Sequence, residues 1–231
     1  MSVDLSTLTH SGASWAGLRV LVAGLGVSGF AAADALLERG AQVVVVDGAV
    51  PAAGSALEER ARILEILEAD LRLGPDHVTG MPTDPIELVV TSPGWRPHQP
   101  LLVAAAAAGI PIWGEVELAW RMRPSQGAAP WLVITGTNGK TTTVQMLTSM
   151  LTAAGLRACS AGNVGRTILE AVMDERPYDV IAVELSSFQL ATTRSLECDA
   201  AVVLNVTQDH LDWHGTMDAY AAAKARIFSP R

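Results

Sequence analysis

Lys140 and Thr141 close the run Thr135-Gly136-Thr137-Asn138-Gly139-Lys140-Thr141-Thr142, which follows the apolar stretch Trp131 to Thr135. A lysine and a hydroxyl residue at a strand-to-helix turn are what triphosphate binding needs. The ammonium of Lys140 would reach the outer phosphates, Thr141 would ligate magnesium, and Gly136, Thr137, Asn138, Gly139 and Thr142 would complete the cradle. Ile134 stands where the usual G-x-x-x-x-G-K-[ST] pattern has its first glycine, so the loop departs from the generic form. Further on, Glu184 ends the apolar run Ile181 to Val183, where a carboxylate is costly unless it is paired, which favours a cation ligand. His210 follows another strand-like run, inside Asp209-His210, and Lys224 lies on an alanine-rich helical stretch.

A second glycine-rich turn comes earlier. Gly24-Leu25-Gly26-Val27-Ser28-Gly29 follows the apolar run Leu18 to Ala23 and opens a helical stretch, Phe30 to Arg39. In such a loop the first glycine allows the tight turn, the second admits a diphosphate to the backbone, and the third lets the helix approach the sheet. Asp47 closes the next β-branched run, Gln42 to Val46, about twenty residues on, where it can accept hydrogen bonds from a ribose or a base. Taken alone, this loop indicates a nucleotide without specifying which, and an NAD-dependent oxidoreductase is one reading of it.

Elements must hold these loops. Leu18–Ala23, Gln42–Val46, Ile86–Thr91, Trp131–Thr135, Tyr178–Glu184 and Cys198–Asn205 are expected strands. Phe30–Arg39, Leu57–Ala69, Pro100–Ala108, Lys140 to about Ala154, and a stretch from near Met217 are expected helices. Continuous rather than alternating apolar runs mark strands buried on both faces, and their alternation with helices predicts parallel, doubly wound sheets. The Pro-, Gly- and Ala-rich stretch Arg123 to Pro130 reads as a linker. The expected organisation is a Rossmann-like α/β domain over residues 1–124, then a phosphate-loop ATPase-like α/β domain over 125–231 that is incomplete.

With 49% hydrophobic and 17% charged residues, the chain can build a substantial core. The net charge of −8 argues against nucleic acid or an anionic membrane as partner. No apolar run approaches the about eighteen residues of a membrane helix, and Met1 to Gly17 has no secretory pattern. Cys159 and Cys198 fit no metal spacing and read as free thiols. A cytoplasmic protein is expected.

The form Thr-Gly-Thr-Asn-Gly-Lys-Thr-Thr resembles the ATP loop of the Mur ligases and their folylpolyglutamate synthase relatives. Further segments agree in order: Thr91-Ser92-Pro93-Gly94, Ile112-Trp113-Gly114-Glu115-Val116-Glu117-Leu118, Gly162-Asn163-Val164-Gly165, Glu184-Leu185-Ser186-Ser187-Phe188-Gln189-Leu190, Asn205 to Gly215 and Tyr220 to Ile227. Several of them are similar to the D-glutamate-adding branch of that family.

The resemblance implies an ATP-dependent amide ligase of peptidoglycan synthesis that joins D-glutamate to UDP-N-acetylmuramoyl-L-alanine through an acyl phosphate. It assigns Ser28, Asp47, Ser92 and Gly94 to the uridine diphosphate, and Asn163, Ser186 and Gln189 to the muramoyl-peptide part. Two magnesium ions are implied, with Thr141, Glu184, His210 and Lys224 as ligands, the lysine as a CO₂-derived carbamate. Lys140, His210 and Lys224 carry the catalytic roles. A monomer is implied, as is a further amino-acid-binding domain beyond this chain, so the chain alone is expected to turn over poorly. A nucleotide-binding module without activity is the alternative.

Overall fold

The computed structural model describes residues 3–228, which divide into two compact units. The first comprises Ala13–Leu118 with the segment up to Thr9; the second comprises the chain from Ala119 with His10–Gly12.

In the first unit the strands are β1 (Arg19–Ala23), β2 (Gln42–Asp47), β3 (Asp70–Leu73), β4 (Leu88–Thr91) and β5 (Ile112–Gly114). Its helices are α1 (Val27–Leu37), α2 (Ala56–Ile66), α3 (Pro100–Ala107) and α4 (Glu115–Arg121), the last running on past Leu118. All pairings are parallel and the strand order is β3-β2-β1-β4-β5. β1 is central because Val20 to Ala23 are buried on both faces, as the continuous apolar run requires. Leu21, Ala23, Val46 and Val89 pack with Leu101, Leu102 and Ala105 of α3 to form one core cluster.

The strand order matters for function. β2 lies on one side of β1 and β4 on the other, so the chain's winding reverses between β1 and β4. In open parallel sheets a crevice forms there, outside the carboxyl ends of the strands.

α2 begins with Ser55 accepting from the Glu58 amide and carries Glu58 and Glu59 in its first turn, which suits the positive end of the helix dipole. It stops earlier than its sequence suggests, at Ile66. Glu68 takes a left-handed conformation (φ 67°), and the Ala69 amide bonds back to Leu64 O. That geometry normally uses glycine, because a Cβ clashes there. Glu68→Gly is therefore expected to stabilise the first unit by about 1 kcal/mol, read as an upward shift of the urea midpoint.

The second unit has strands β6 (Trp131–Thr135), β7 (Ala158–Gly162), β8 (Val180–Glu184) and β9 (Ala200–Val203). They form a parallel sheet of order β7-β8-β6-β9. Helices α5 (Lys140–Ala153), α6 (Ile168–Val172), α7 (Ser187–Ala191), α8 (Leu211–His214) and α9 (Met217–Ala225) surround it. Ile134, Val144 and Ala182 tie α5 to the two central strands. Cys159 and Cys198 are both free. No helix of the described residues is long and apolar enough to cross a membrane.

Candidate functional site

In the second unit, the loop between β6 and α5 is fastened before it can bind anything. The Thr137 amide donates to Asn205 O (3.0 Å) and the Asn138 amide to Asn205 Oδ1 (2.9 Å), while Asn205 Nδ2 donates back to Asn138 O (3.0 Å). The Thr207 amide donates to Thr137 Oγ1, which also lies 3.0 Å from the Tyr220 hydroxyl. Two of the loop amides expected to cradle phosphate are thus committed to the segment after β9. The amides of the first turn of α5, from Lys140 to Thr142, have no intrahelical partner and face the helix's positive end.

Lys140 Nζ donates to Gly136 O and Thr137 O, both at 2.9 Å. Lys224 Nζ reaches the same Gly136 carbonyl from α9, at 2.8 Å, although the two lysines are far apart in sequence. Lys224 is 2% exposed. Burial, and then repulsion from Lys140, push its pKa down to about 8, against a smaller opposing pull from Asp209.

Glu184 comes from the end of β8 and is also 2% exposed. Thr141 Oγ1 donates to its Oε2 and Asn163 Nδ2 to its Oε1, each at 2.9 Å. A buried carboxylate held only by neutral donors, beside a hydroxyl and next to a phosphate-type loop, has the oxygen chemistry that magnesium takes. The residues present therefore fit that ion, and Thr141 and Glu184 are the groups that would hold it.

Gly162 is required for this arrangement. At φ 121° it lies so close to β8 that a Cβ would come within 2.2 Å of Glu184 O. The turn that follows carries Asn163. Arg166 anchors that turn from outside: its carbonyl accepts from the Gly162 amide, and its guanidinium binds Asp174 (3.0 Å) and the Tyr178 hydroxyl.

His210 is packed among aromatic rings. It sits in a left-handed conformation (φ 52°) at the start of α8, with its ring 4.7 Å from that of Phe188 and 6.1 Å from that of Tyr220. Its Nδ1 lies 3.4 Å from Asp209 Oδ1. Among the described residues no three His, Cys, Asp or Glu side chains meet at one point. His214 stacks on Phe188 and bonds Ser187 through Nε2, and burial lowers its pKa, so it is a neutral packing partner.

Ser186 and Gln189 form a capping box at the start of α7, each side chain bonding the other residue's backbone amide. The structure thus commits to helix capping two residues that the resemblance assigned to substrate.

In the first unit, Gly29 is set by contact: a Cβ there would lie 1.8 Å from Gly24 O. Asp47 is committed to the chain's own backbone, accepting from the Leu25 amide (2.7 Å) and the Ala49 amide (2.8 Å). It shapes the glycine loop, and each oxygen keeps a second lone pair for a ligand. Ser92, at the end of β4, donates to Gly24 O at 3.4 Å. Ser28 is half-buried at the start of α1, and Gly94 is exposed with open space around it. Arg60 of α2 lies 3.5 Å from Leu25 O and brings a cation to this loop, which sequence patterning did not indicate. A cavity of about 530 Å³ lined by Arg19, Gln42 and Asp70 lies at the opposite, amino ends of β1–β3.

Two α/β units, each with a parallel sheet and a glycine turn at the carboxyl end of a central strand, define an α/β protein with a lysine-bearing loop of the kind that can hold phosphates. Comparison with known families makes this specific. Residues 18–114 match the Mur ligase MurD-like N-terminal domain and residues 134–230 the Mur ligase middle domain, so the chain belongs to the Mur ligase family.

Among curated proteins, the UDP-N-acetylmuramoylalanine–D-glutamate ligase of Frankia casuarinae is 57% identical over 93% of this chain and 44% of its own length. That of Streptomyces avermitilis is 55% identical over 93% and 44%, and that of Mycolicibacterium smegmatis 46% over 99% and 43%. The chain therefore spans less than half the length of these relatives. Two solved structures share the fold: the UDP-N-acetylmuramate-alanine ligase of Thermotoga maritima and the UDP-N-acetylmuramate:L-alanyl-gamma-D-glutamyl-meso-diaminopimelate ligase of Neisseria meningitides. The first is 20% identical at a TM-score of 0.51, covering 91% of this chain and 46% of that one. The second is 19% identical at 0.51, covering 92% and 68%. With the first glycine loop inside a Mur ligase domain, the oxidoreductase reading of that loop loses its support.

Proposed function

We propose that this chain carries the uridine-substrate and ATP sites of a cytoplasmic ligase that adds D-glutamate to UDP-N-acetylmuramoyl-L-alanine. The observation that carries the reading is the convergence of Lys140 and Lys224 on Gly136 O beside the Thr141–Glu184 pair. The relatives' names supply the substrate and the amino acid.

A carboxylate is a poor acyl donor, so it is first phosphorylated by ATP, and the amine then displaces phosphate through a tetrahedral intermediate. Such chemistry depends on positioning and charge neutralisation more than on covalent help from the protein. Lys140 and the amides of the first turn of α5 hold the outer phosphates. Thr141 and Glu184 would hold magnesium, which neutralises phosphate charge when bound. His210 and the carbamate form of Lys224 are proposed to serve a second magnesium. In the first unit, the glycine loop shaped by Asp47, with Ser28, Ser92 and Gly94, is proposed to hold the uridine diphosphate. Asn163, Ser186 and Gln189 are proposed to lie toward the muramoyl-peptide part.

Calorimetric titration with magnesium-ATP tests the second site. Saturable binding is expected for the wild-type chain, and Lys140→Ala should weaken it about a hundred-fold or more, since a charge-assisted contact to phosphate is lost. Unchanged affinity in Lys140→Ala would refute the assignment.

A further inference from the structure

We infer that Trp95 is a ligand-binding residue of the first unit, its indole N–H reading an anionic oxygen of the diphosphate held at the glycine loop. The inference rests on the uridine-diphosphate reading of that loop.

Trp95 follows the Ser92-Pro93-Gly94 turn at the end of β4, and its amide donates to Ser92 O (3.1 Å), which closes the turn. The turn brings the indole across to the neighbouring strand. A Cβ built on Gly24 would lie 2.8 Å from Trp95 Nε1 and 2.7 Å from Ser92 Oγ. The indole nitrogen therefore stands against the first glycine of the loop, at the point between β1 and β4 where the winding reverses. The Trp95 side chain packs against the core cluster that includes Leu21, Ala23 and Val89, which holds it in place.

Chemistry selects the ligand. An indole N–H is a donor only, so it recognises an acceptor. Arg60, 3.5 Å from Leu25 O, adds positive charge beside the same loop, and the first turn of α1 adds unpaired amides. The acceptor these groups favour together is anionic. A residue held by its own packing loses little conformational freedom on binding, so its hydrogen bond is retained in the affinity.

The test is titration calorimetry of the chain with UDP and with uridine, for wild type, Trp95→Phe and Trp95→Leu, with thermal melts to confirm folding. Phenylalanine keeps an aromatic ring but lacks the donor, and Trp95→Leu together with the uridine titration separates that loss from the smaller ring. Trp95→Phe is expected to weaken UDP about ten-fold and leave uridine unchanged, with Trp95→Leu matching it on UDP. Equal UDP affinity in wild type and Trp95→Phe would overturn the inference. Parallel loss of UDP and uridine would also overturn it, because it would make the ring a packing or stacking surface. Failure of folded wild type to bind UDP would overturn the uridine-diphosphate reading and the inference with it.

Discussion

Glu184→Ala is expected to remove the dependence of ATP binding on magnesium. In the wild type, adding magnesium should tighten ATP binding about a hundred-fold or more; in the variant, titrations with and without the metal should coincide. The expectation follows from the site's composition. Glu184 is buried, and only the Thr141 hydroxyl and the Asn163 amide satisfy it. A charge kept in that setting is balanced when a cation arrives, so deleting it should remove the metal's foothold while leaving Lys140 and the amides of α5 in place. Glu184→Gln separates charge from shape: it keeps the size and one acceptor, and should behave like the alanine variant toward magnesium. A glutamine variant that retained full magnesium dependence would mean that the metal is held elsewhere.

The second large effect concerns Lys224. A free lysine, with pKa about 10.4, is neutral in well under a thousandth of molecules at pH 7. At a pKa of about 8, the neutral amine that reacts with CO₂ is roughly two orders of magnitude more abundant. Carbon-13 NMR in labelled bicarbonate should therefore show a lysine carbamate in the wild type and none in Lys224→Arg. No carbamate signal in the wild type with magnesium present would remove this residue from the proposed metal set.

The same shift has a sign for stability. The folded pKa is depressed from 10.5, so below about pH 8 the folded state carries a buried ammonium that the unfolded chain keeps in water. Between about pH 8 and 10.5 the unfolded state binds more protons, and stability contributed by this group rises with pH. In CO₂-free buffer, Lys224→Met should be the more stable protein at pH 7, and the difference should shrink as pH rises through that window.

Much of this architecture was readable from residue types. The continuous apolar runs of β1, β2 and β6 gave their own assignments, because a strand buried on both faces leaves no polar alternation to confuse with a helix. β3 was hidden, since Asp70-Leu71-Arg72-Leu73 is short, half polar and at the sheet edge. β7 was hidden because Ala-Cys-Ser-Ala-Gly has little strand preference and is held by its pairing with β8. In the site, Lys140, Thr141 and Glu184 were legible by type and position.

The partners of these residues were not. Asn205, which fastens the phosphate loop, lies 67 positions from Asn138, and no local spacing signals that meeting. Arg60, Trp95 and Arg166 likewise act through tertiary approach alone. The capping box of Ser186 and Gln189 was legible as Ser-x-x-Gln before an apolar stretch, and its helix-starting role competes with the substrate role the resemblance suggested.

The most direct test of the proposed uridine-nucleotide site is titration calorimetry of the chain with UDP-N-acetylmuramoyl-L-alanine, with NAD as the comparison ligand. The expected result is saturable binding of the uridine compound, none of NAD, and loss of the former in Asp47→Ala, whose carboxylate shapes the glycine loop. Binding of NAD in place of the uridine compound would contradict it.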